Sequence, residues 1–404
     1  MPESFFSISA APNAISCPPR FFAPETPGMK RFSALLAVTL MLIALPAFAQ
    51  CTLPGVPSPA TIDSTFDEYV TQNGPGWTGG DGTYSLLLPD GTNLWMWSDS
   101  YIGTVNPTTR LRSSDLFTAH NSLTILNQST GSWTTVGYPP KTTSYFVPTN
   151  KADWFWQGGS YLVPTSGGGY QIKIMLLEWT GAFKLVGHSV ATLAWPSLAI
   201  SSITPVTGLN TTLEWGTKIL HAGNYYYIFG LKDPGTDTKT PYVARTNSLA
   251  NLTNATKWQF WNATQAKWMA GESNATAMSG VAAVTPEYSV DQLTYNGSTF
   301  YLMTGMDPQN PPYPLWDAVT TWYSCSPQGP WSNKTTVYTT PEAGANGCKV
   351  GTLVTYNAKA HSEFTNSDGI LVSYNVNAND GSDLVCANDY MPRFVRLQIP
   401  GVTN

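Results

Sequence analysis

The sequence has 404 residues, of which 20 are basic and 25 are acidic, giving a formal net charge of -5. This balance argues against nucleic acid as a partner, because such proteins neutralise phosphates with clustered basic residues. Only 11% of the residues are charged and 13% are aromatic, glycine and proline recur throughout, and few stretches show a helical apolar period. The composition therefore indicates an all-β protein with many short strands rather than a helical cytosolic enzyme.

The chain begins with a predicted leader, residues 1–49, whose last part (residues 29–49) has the three regions of a secretory signal. A basic start at residues 30–31 is followed by an apolar run from Leu35 to Leu45 and by small residues up to Ala49. The apolar run is shorter than the roughly 20 residues that span a membrane. We therefore expect cleavage near Ala49, export to the periplasm or the exterior, and no stable membrane insertion.

Five hairpins are predicted along the rest of the chain, because five strand-like runs break at a glycine turn and return as a more aromatic or apolar run. An acidic residue lies ahead of each turn. Such a repeat at long spacing is typical of a radial or stacked array. The runs and their returns are Asp81 to Leu88 with Leu94 to Trp97, Asp153 to Leu162 with Tyr170 to Leu177, Glu214 to Leu220 with Tyr225 to Phe229, Glu287 to Thr294 with Thr299 to Met303, and Glu363 with Ile370 to Tyr374.

These repeats predict an all-β, single-domain protein: a five-bladed β-propeller over residues 76–404, preceded by an N-terminal extension over residues 50–75 that supplies a strand to close the ring. Closure matters because an open ring exposes the edges of its first and last blades. The alternative is a β-sandwich, which would bury alternate residues between two sheets and would not bring the five acids together. The predicted blades cover residues 76–148, 149–210, 211–283, 284–350 and 351–404.

Four cysteines follow the predicted cleavage point, and an even number in an exported chain favours two disulfides. Four cysteines allow three connectivities, which the sequence does not rank securely. We favour Cys325 with Cys348, and Cys51 with Cys386. No pair has the close spacing of a zinc site, so we expect no metal bound by these cysteines.

The acids ahead of the turns suggest a chemistry. In a propeller the innermost strands surround a central channel, so residues at one end of those strands share a small volume. Glycoside hydrolysis needs one carboxylic acid to protonate the leaving oxygen and one carboxylate to activate water or attack the sugar, about 5 Å apart for retention and about 6.5 to 9.5 Å for inversion. Acids on neighbouring inner strands can satisfy either distance, which predicts a glycoside hydrolase.

Longer motifs carry a resemblance. They are Gly-Trp-Thr-Gly-Gly-Asp-Gly-Thr-Tyr-Ser (76–85), Leu-Pro-Asp-Gly-Thr-Asn-Leu-Trp-Met-Trp-Ser-Asp-Ser (88–100), His-Asn-Ser-Leu (120–123), Glu-Trp-Gly-Thr (214–217), Ala-His-Ser-Glu (360–363), Ser-Tyr-Asn-Val-Asn (373–377) and Met-Pro-Arg-Phe (391–394). Together they resemble secreted bacterial propeller proteins of a domain-of-unknown-function type. These proteins are similar in architecture to the five-bladed glycosidases that include arabinanases, β-xylosidases and fructan hydrolases. The resemblance implies a polysaccharide substrate and favours a pentose such as arabinofuranose.

The resemblance also implies catalytic roles. In that superfamily a first-blade aspartate is the base or nucleophile, a second-blade aspartate tunes pKa and orientation, and a third-blade glutamate is the acid. By position these roles fall on Asp81, Asp153 and Glu214. The residues around Asp153 do not align with the family motif, so Asp99 is a rival for the base or tuning role. His361 matches a fifth-blade histidine that, in arabinanase-like members, faces a central water or cation.

Aromatic and charged residues near these acids are candidate substrate-binding residues. A flat ring beside a carboxylate can stack on a sugar face, although most tryptophans of a propeller fill the space between blades. Glu287 and Glu363 can instead be structural partners of Lys218, Lys359 or Arg393. The candidates are Trp154, Trp156, Trp215, Glu287, Tyr288, His361, Glu363 and Arg393.

Two function classes remain open. The first is a glycoside hydrolase acting on a polysaccharide, and the alternative is a non-catalytic carbohydrate-binding or adhesion propeller that uses the same rings and acids. A uronate lyase is less favoured because the predicted mouth is acidic. We expect a monomer that requires no cofactor. A structural calcium or sodium ion in the central channel fits the family, but no calcium loop in the sequence demands it.

Overall fold

Each predicted glycine turn closes an antiparallel hairpin. In the fourth, Asn296 and Gly297 have φ values of 48° and 75°, the left-handed pair that a two-residue Asn-Gly turn requires. The predicted leader (residues 1–49) lies outside the described residues. The structure is a computed structural model that describes residues 51–113, 117–139, 143–236, 238–308, 316–349 and 351–403.

The elements up to the second hairpin's sheet are numbered in chain order. They are β1 (Thr61–Ile62), α1 (Ser64–Val70), β2 (Gly76–Gly80), β3 (Tyr84–Leu87), β4 (Asn93–Trp97), β5 (Ser100–Gly103), β6 (Phe117–Ala119), β7 (Ser122–Asn127), β8 (Ser132–Thr135), β9 (Trp154–Pro164), β10 (Tyr170–Trp179), β11 (Leu185–Ala194) and β12 (Ile200–Pro205).

The third hairpin and the elements after it complete the described chain. The strands are β13 (Glu214–Ala222), β14 (Tyr225–Lys232), β15 (Thr240–Thr246), β16 (Gln259–Asn262), β17 (Lys267–Ala270), β18 (Ser289–Tyr295), β19 (Ser298–Met306), β20 (Ala318–Ser324), β21 (Ser332–Thr339), β22 (Leu353–Asn366), β23 (Gly369–Ala378), β24 (Met391–Leu397) and β25 (Val402–Thr403). Short 3₁₀-helices cover Leu249–Asn251, Ala255–Lys257, Glu272–Asn274, Asp383–Val385 and Ala387–Asp389. No helix in the described part of the chain is long and apolar enough to cross a membrane.

The strands form five sheets of four or five strands, each built on one hairpin, and one small sheet of three. The larger sheets have the orders β3-β4-β7-β8, β9-β10-β11-β12, β13-β14-β15-β16-β17, β25-β18-β19-β20-β21 and β22-β23-β24-β1, and the small sheet is β2-β5-β6. The protein is therefore all-β, as predicted. These sheets are not the two packed layers of the sandwich alternative.

The first strands of the five hairpins lie against one another. β9 contacts β3 and β13, β18 contacts β13 and β22, and β22 contacts β3. Two glycines allow the closest of these approaches: a Cβ on Gly158 would lie 2.2 Å from the carbonyl oxygen of Gly216, and a Cβ on Gly159 would lie 2.7 Å from Cα of Lys218. Backbone-to-backbone packing at this point therefore depends on the absence of side chains.

The hydrophobic core is divided into five clusters, each between two sheets. Phe155 and Leu94 represent the cluster between the first two hairpin sheets, and Trp215 lies in the next one. The remaining clusters join the third sheet to the fourth, the fourth to the fifth, and the fifth to the first. Most of the large aromatic rings are buried in these layers, where they contribute apolar area.

The N-terminal segment supplies the outermost strand of the fifth sheet, since β1 pairs with β24. Asp63 then caps α1 by accepting a hydrogen bond from Phe66 N at 3.0 Å. Its other oxygen accepts from Arg396 Nε at 2.5 Å, and both side chains are buried. One carboxylate thus joins the segment before the first hairpin to the last strand of the fifth sheet.

The disulfides differ from the pairing that we favoured. Cys51 is bonded to Cys325 and Cys348 to Cys386. The start of the described chain runs along the fourth sheet, where Tyr323 donates a hydrogen bond to Gly55 O at 3.4 Å. This path takes Cys51 to Cys325 and away from Cys386, a spatial relation that cysteine spacing does not contain.

Replacing Asp63 with alanine is expected to lower the free energy of unfolding by about 3 to 5 kcal/mol, because Arg396 would be left as an uncompensated buried charge. Urea unfolding monitored by tryptophan fluorescence measures the change. Asp63→Asn keeps a capping acceptor and separates the contribution of the cap, about 1 kcal/mol, from that of the ion pair. An alanine variant as stable as the original chain would contradict this role.

Candidate functional site

The starts of the inner strands meet at a cavity of about 300 Å³. Asp81 comes from the turn before β3, Trp156 and Gln157 from β9, Glu214 from the first position of β13, and Glu287 from just before β18. The fifth hairpin contributes Tyr356 and Asn357 from β22. Three of the predicted acids, Asp81, Glu214 and Glu287, are therefore brought together.

Irregularities in three inner strands shape this cavity. The register of β9 shifts just after Gln157, that of β13 shifts between Trp215 and Lys218, and that of β22 shifts between Tyr356 and Lys359. In β22 the shift contains Asn357 with a φ of 58°. A β-bulge bends its strand and re-aims the neighbouring side chains, and bulges recur beside active sites.

Asp81 is held by the backbone and by a tyrosine. Its amide donates to Asp99 O at 3.2 Å, its carbonyl accepts from Ser98 N at 2.8 Å, and its Oδ2 accepts from the Tyr356 hydroxyl at 2.8 Å. Burial and the nearby Asp99 carboxylate raise the pKa of Asp81 to about 8. Its buried Oδ1 has no hydrogen-bond partner among the described residues.

Glu214 lies across the same cavity. Burial and the neighbouring Asp233 carboxylate raise the pKa of Glu214 to about 8, and Lys239 partly offsets that rise. Lys239 Nζ lies 3.2 Å from Asp233 Oδ2, so the two groups that act on Glu214 are also paired with each other. At neutral pH the Glu214 carboxyl group is therefore protonated in most molecules, as a general acid requires.

Glu287 has a different environment. It forms an ion pair with the buried Lys359, whose Nζ also donates to Gly82 O. Burial raises the pKa of Glu287, while the contact with Lys359 lowers it. Glu287 is therefore a structural partner of Lys359, which is one of the two roles that the sequence suggested for it. It also lines the cavity.

A second cavity, of about 580 Å³, adjoins the first and shares Asp81, Trp156 and Tyr356 with it. Asp99 lies here and its side chain is 42% exposed. Its Oδ1 accepts from Trp156 Nε1 at 3.1 Å and lies 2.9 Å from His120 Nδ1. Asp99 is thus close enough to raise the pKa of Asp81 but is itself far more open to solvent.

Two of the rings predicted to bind substrate lie in the core. Trp215 is fully buried between sheets, and its Nε1 donates to Glu272 Oε1 at 2.7 Å. Tyr288 is also fully buried, and its hydroxyl donates to Gly230 O at 2.7 Å. Both rings fill the core beside the acids, where no sugar can reach them, whereas Trp156 lines both cavities.

Three further predicted residues lie outside both cavities. Asp153 accepts a hydrogen bond from Asn150 in the loop before β9, and Trp154 is buried with its ring stacked on His120 at 4.7 Å. Arg393 lies on β24, away from the inner strands, with its Nε 3.4 Å from Glu342 Oε1. On this hairpin the cavity is lined by Trp156 and Gln157, a few residues after Asp153.

His361 and Glu363 lie further along β22, toward its other end. His361 is buried, with Nδ1 2.6 Å from Ser85 Oγ and Nε2 2.8 Å from Ser373 Oγ. Glu363 accepts a hydrogen bond from Ser85 and lines a separate cavity of about 630 Å³. Neither residue lines the cavity that contains Asp81 and Glu214.

A further, smaller cavity between the inner strands has a lining that does not fit calcium. This cavity, of about 30 Å³, is lined by His361, by hydroxyl groups such as that of Ser289, and by Lys218 and Lys359. Calcium takes six to eight oxygen ligands, among them carboxylates. Two lysines and a histidine beside a few hydroxyl groups are a poor set of ligands for a divalent cation.

Several residues that line the cavity were not predicted from the sequence. Trp179 ends β10 and Phe183 follows in the turn, with a φ of 53° and a residue exposure of 67%. Because β10 runs antiparallel to β9, its end must lie beside the start of β9, so these aromatics were predictable from the hairpin. Gln157 is the one polar side chain in the apolar start of β9, a signal that went unused. The position of Asn357 depends on a bulge that no sequence pattern marks.

Comparisons with known proteins identify the family of this chain. A family model described as "Domain of unknown function (DUF5005)" matches residues 63–399. No curated protein sequence matches the chain. A candidate hydrolase of known structure from Bacteroides ovatus ATCC 8483 is 16% identical, with a TM-score of 0.64, over 86% of this chain and 97% of that chain.

Two more distant structures are sugar-processing enzymes. The GH43_1 enzyme from Xanthomonas citri, complexed with xylotriose, is 11% identical with a TM-score of 0.46, over 83% of this chain and 93% of that chain. An α-L-arabinofuranosidase variant from Fusarium graminearum is 11% identical with a TM-score of 0.45, over 87% and 98% of the two chains. At such identities a likeness concerns the fold alone. The predicted resemblance to a family of unknown function is confirmed by the family match: the chain belongs to the DUF5005 family.

Proposed function

We propose that this DUF5005 protein hydrolyses glycosidic bonds in a polysaccharide, with Glu214 as the general acid and Asp81 as the base or nucleophile. One observation carries the proposal: two partly buried carboxyl groups, both with pKa values of about 8, line one cavity that also has aromatic walls. Glycoside hydrolysis uses such a pair of carboxyl groups on either side of the scissile bond.

The fold in this proposal is a five-bladed propeller. The first strands contact one another in the order β3, β9, β13, β18 and β22, with β22 returning to β3, and a hydrophobic cluster lies between each neighbouring pair of sheets. This arrangement supports five blades around one axis. The pairing of β1 with β24 then closes the ring with the two ends of the chain.

The two carboxyl groups have separable roles. Glu214, protonated below a pH of about 8, donates its proton to the leaving oxygen as the bond breaks. Asp81, once ionised, uses its unpartnered Oδ1 toward water or the sugar while Tyr356 holds Oδ2. Trp156 and Trp179 line the same cavity, and aromatic rings suit the apolar faces of a sugar.

The sugar, the export and the assembly state are also proposals. The sequence motifs resemble those of proteins of unknown function that are similar in architecture to arabinanases and β-xylosidases, which favours arabinofuranose units. Two disulfides suit a chain that matures in an oxidising compartment after cleavage near Ala49. We propose an exported monomer. A sugar-binding propeller without turnover would retain the aromatic walls but has no need of two protonatable carboxyl groups.

Glu214→Gln is expected to lower kcat/KM on a polysaccharide by about 10² to 10⁴-fold, because general acid assistance is lost. The loss should be smaller on an aryl glycoside, whose leaving group needs less protonation. Asp81→Asn should lower both activities together. Release of reducing ends from arabinan, xylan and galactan, with nitrophenyl glycosides alongside, measures both.

The matched control is Asp153→Asn, since Asp153 is a carboxylate that directly precedes β9 and lies outside the cavity. It should leave both activities unchanged. Turnover that survives in Glu214→Gln on the polysaccharide would remove Glu214 from the mechanism. Sugar binding without turnover in the original chain would favour the non-catalytic alternative.

The pH dependence of kcat/KM should be bell-shaped with a mildly alkaline optimum. Activity falls at low pH as Asp81 is protonated and falls at high pH as Glu214 ionises, and both pKa values are about 8. Asp233→Asn removes a negative charge that raises the pKa of Glu214. In the pH profile of this variant, the alkaline limb should therefore move to lower pH while the acid limb stays in place. An unchanged alkaline limb would show that another group supplies the proton.

A further inference from the structure

Gln157 has an unusual environment for a buried amide. It lies in β9 between Trp156 and the Gly158-Gly159 pair, its side chain is 1% exposed, and it lines the cavity with Asp81 and Glu214. The register shift of β9 follows it directly. Neither its Nε2 nor its Oε1 has a hydrogen-bond partner among the described residues.

A second buried amide in the same sheet neighbourhood shows what a structural role looks like. Asn121 Nδ2 donates to Phe146 O at 2.9 Å and to Phe155 O at 2.8 Å, and its Oδ1 accepts from Phe146 N at 2.7 Å. Buried polar groups are nearly always satisfied in this way, because an unpaired one loses its hydration without compensation. The amide of Gln157 therefore needs a different explanation.

Other unpartnered atoms surround the same cavity. Ser98 Oγ, Asn357 Oδ1 and Asp81 Oδ1 are all buried, all lack a partner in the described part of the chain, and all belong to residues of this lining. Other unpartnered atoms occur elsewhere in the described core, but these donors and acceptors border one space. A ligand that carries several hydroxyl groups, each both donor and acceptor, can satisfy them together.

We propose that Gln157 binds neighbouring hydroxyl groups of a neutral sugar unit and thereby sets specificity in the cavity; this deepens the proposed function and rests on the same site. The described lining carries Asp81, Glu214, Asp233 and Glu287 against Lys239, and it contains no arginine. A uronate carboxylate would find no free cation in this described lining, because Lys239 is already paired with Asp233. A neutral ring meets hydrogen-bonding groups at its edge and the rings of Trp156 and Trp179 at its faces.

A stability test needs no knowledge of the substrate. Gln157→Met keeps the side-chain length but removes both unpartnered polar atoms, so the sugar-free protein should melt about 1 to 4 °C higher. Asn121→Leu is the matched control: it removes an amide whose hydrogen bonds are made, so it should melt lower. A Gln157→Met variant that also melts lower would mean that the amide has a structural role, which overturns the proposal.

Binding supplies the second readout. Xylotriose, β-1,3-galactotriose and arabinotriose at about 10 mM are added to Glu214→Gln protein, and a bound sugar raises its melting temperature by mass action. At least one trisaccharide should raise it, and Gln157→Met in the same background should abolish the rise. No rise with any of the three, or a rise that survives Gln157→Met, would refute the neutral-sugar site.

These results separate the two proposals. If Glu214→Gln retains turnover while Gln157→Met raises stability and abolishes sugar binding, the hydrolase roles fail and the sugar site stands. If Glu214→Gln loses turnover while Gln157→Met binds and hydrolyses sugar normally, the sugar-binding role of Gln157 fails and the hydrolase roles stand.

Discussion

The close approach of the inner strands is the constraint on which the site depends. Gly158 and Gly159 place the backbone of β9 directly against that of β13, at distances that any side chain would prevent. This contact lies immediately beside Gln157 on one strand and Glu214 on the other. Larger residues there would separate the two strands, and the cavity between Asp81 and Glu214 would lose its shape before any catalytic group was changed.

The same packing controls the electrostatics. Because the strand ends meet around these acids, the carboxyl groups of Asp81 and Glu214 lose part of their hydration, and their pKa values rise to about 8. Glu287 is close to them but has Lys359 as a counter-ion. The structure thus distinguishes two protonatable acids from one paired carboxylate, although all three lie at or just before the first strands of their hairpins.

The sequence predicted the hairpins, because glycine turns and period-two runs are local features. It grouped five acids, of which Asp81, Glu214 and Glu287 line one cavity. It did not predict which side chains near those acids face the cavity. Trp215 is adjacent to Glu214 yet points into the core, as strand alternation requires. Trp156 and Gln157 face the cavity because β9 is irregular there, and a bulge is decided by packing between strands. The disulfides depend on the path of the N-terminal segment along the fourth sheet, which residue spacing does not contain.

The central claim is that one sugar unit lies between Asp81 and Glu214 with its hydroxyl groups on Gln157. A crystal structure of Glu214→Gln protein soaked with the three trisaccharides tests it most directly. The account predicts a glycosidic oxygen within hydrogen-bond reach of residue 214, about 2.6 to 3.2 Å, and a ring hydroxyl at a similar distance from the Gln157 amide. A trisaccharide bound in the cavity lined by Glu363, with none between Asp81 and residue 214, would contradict it.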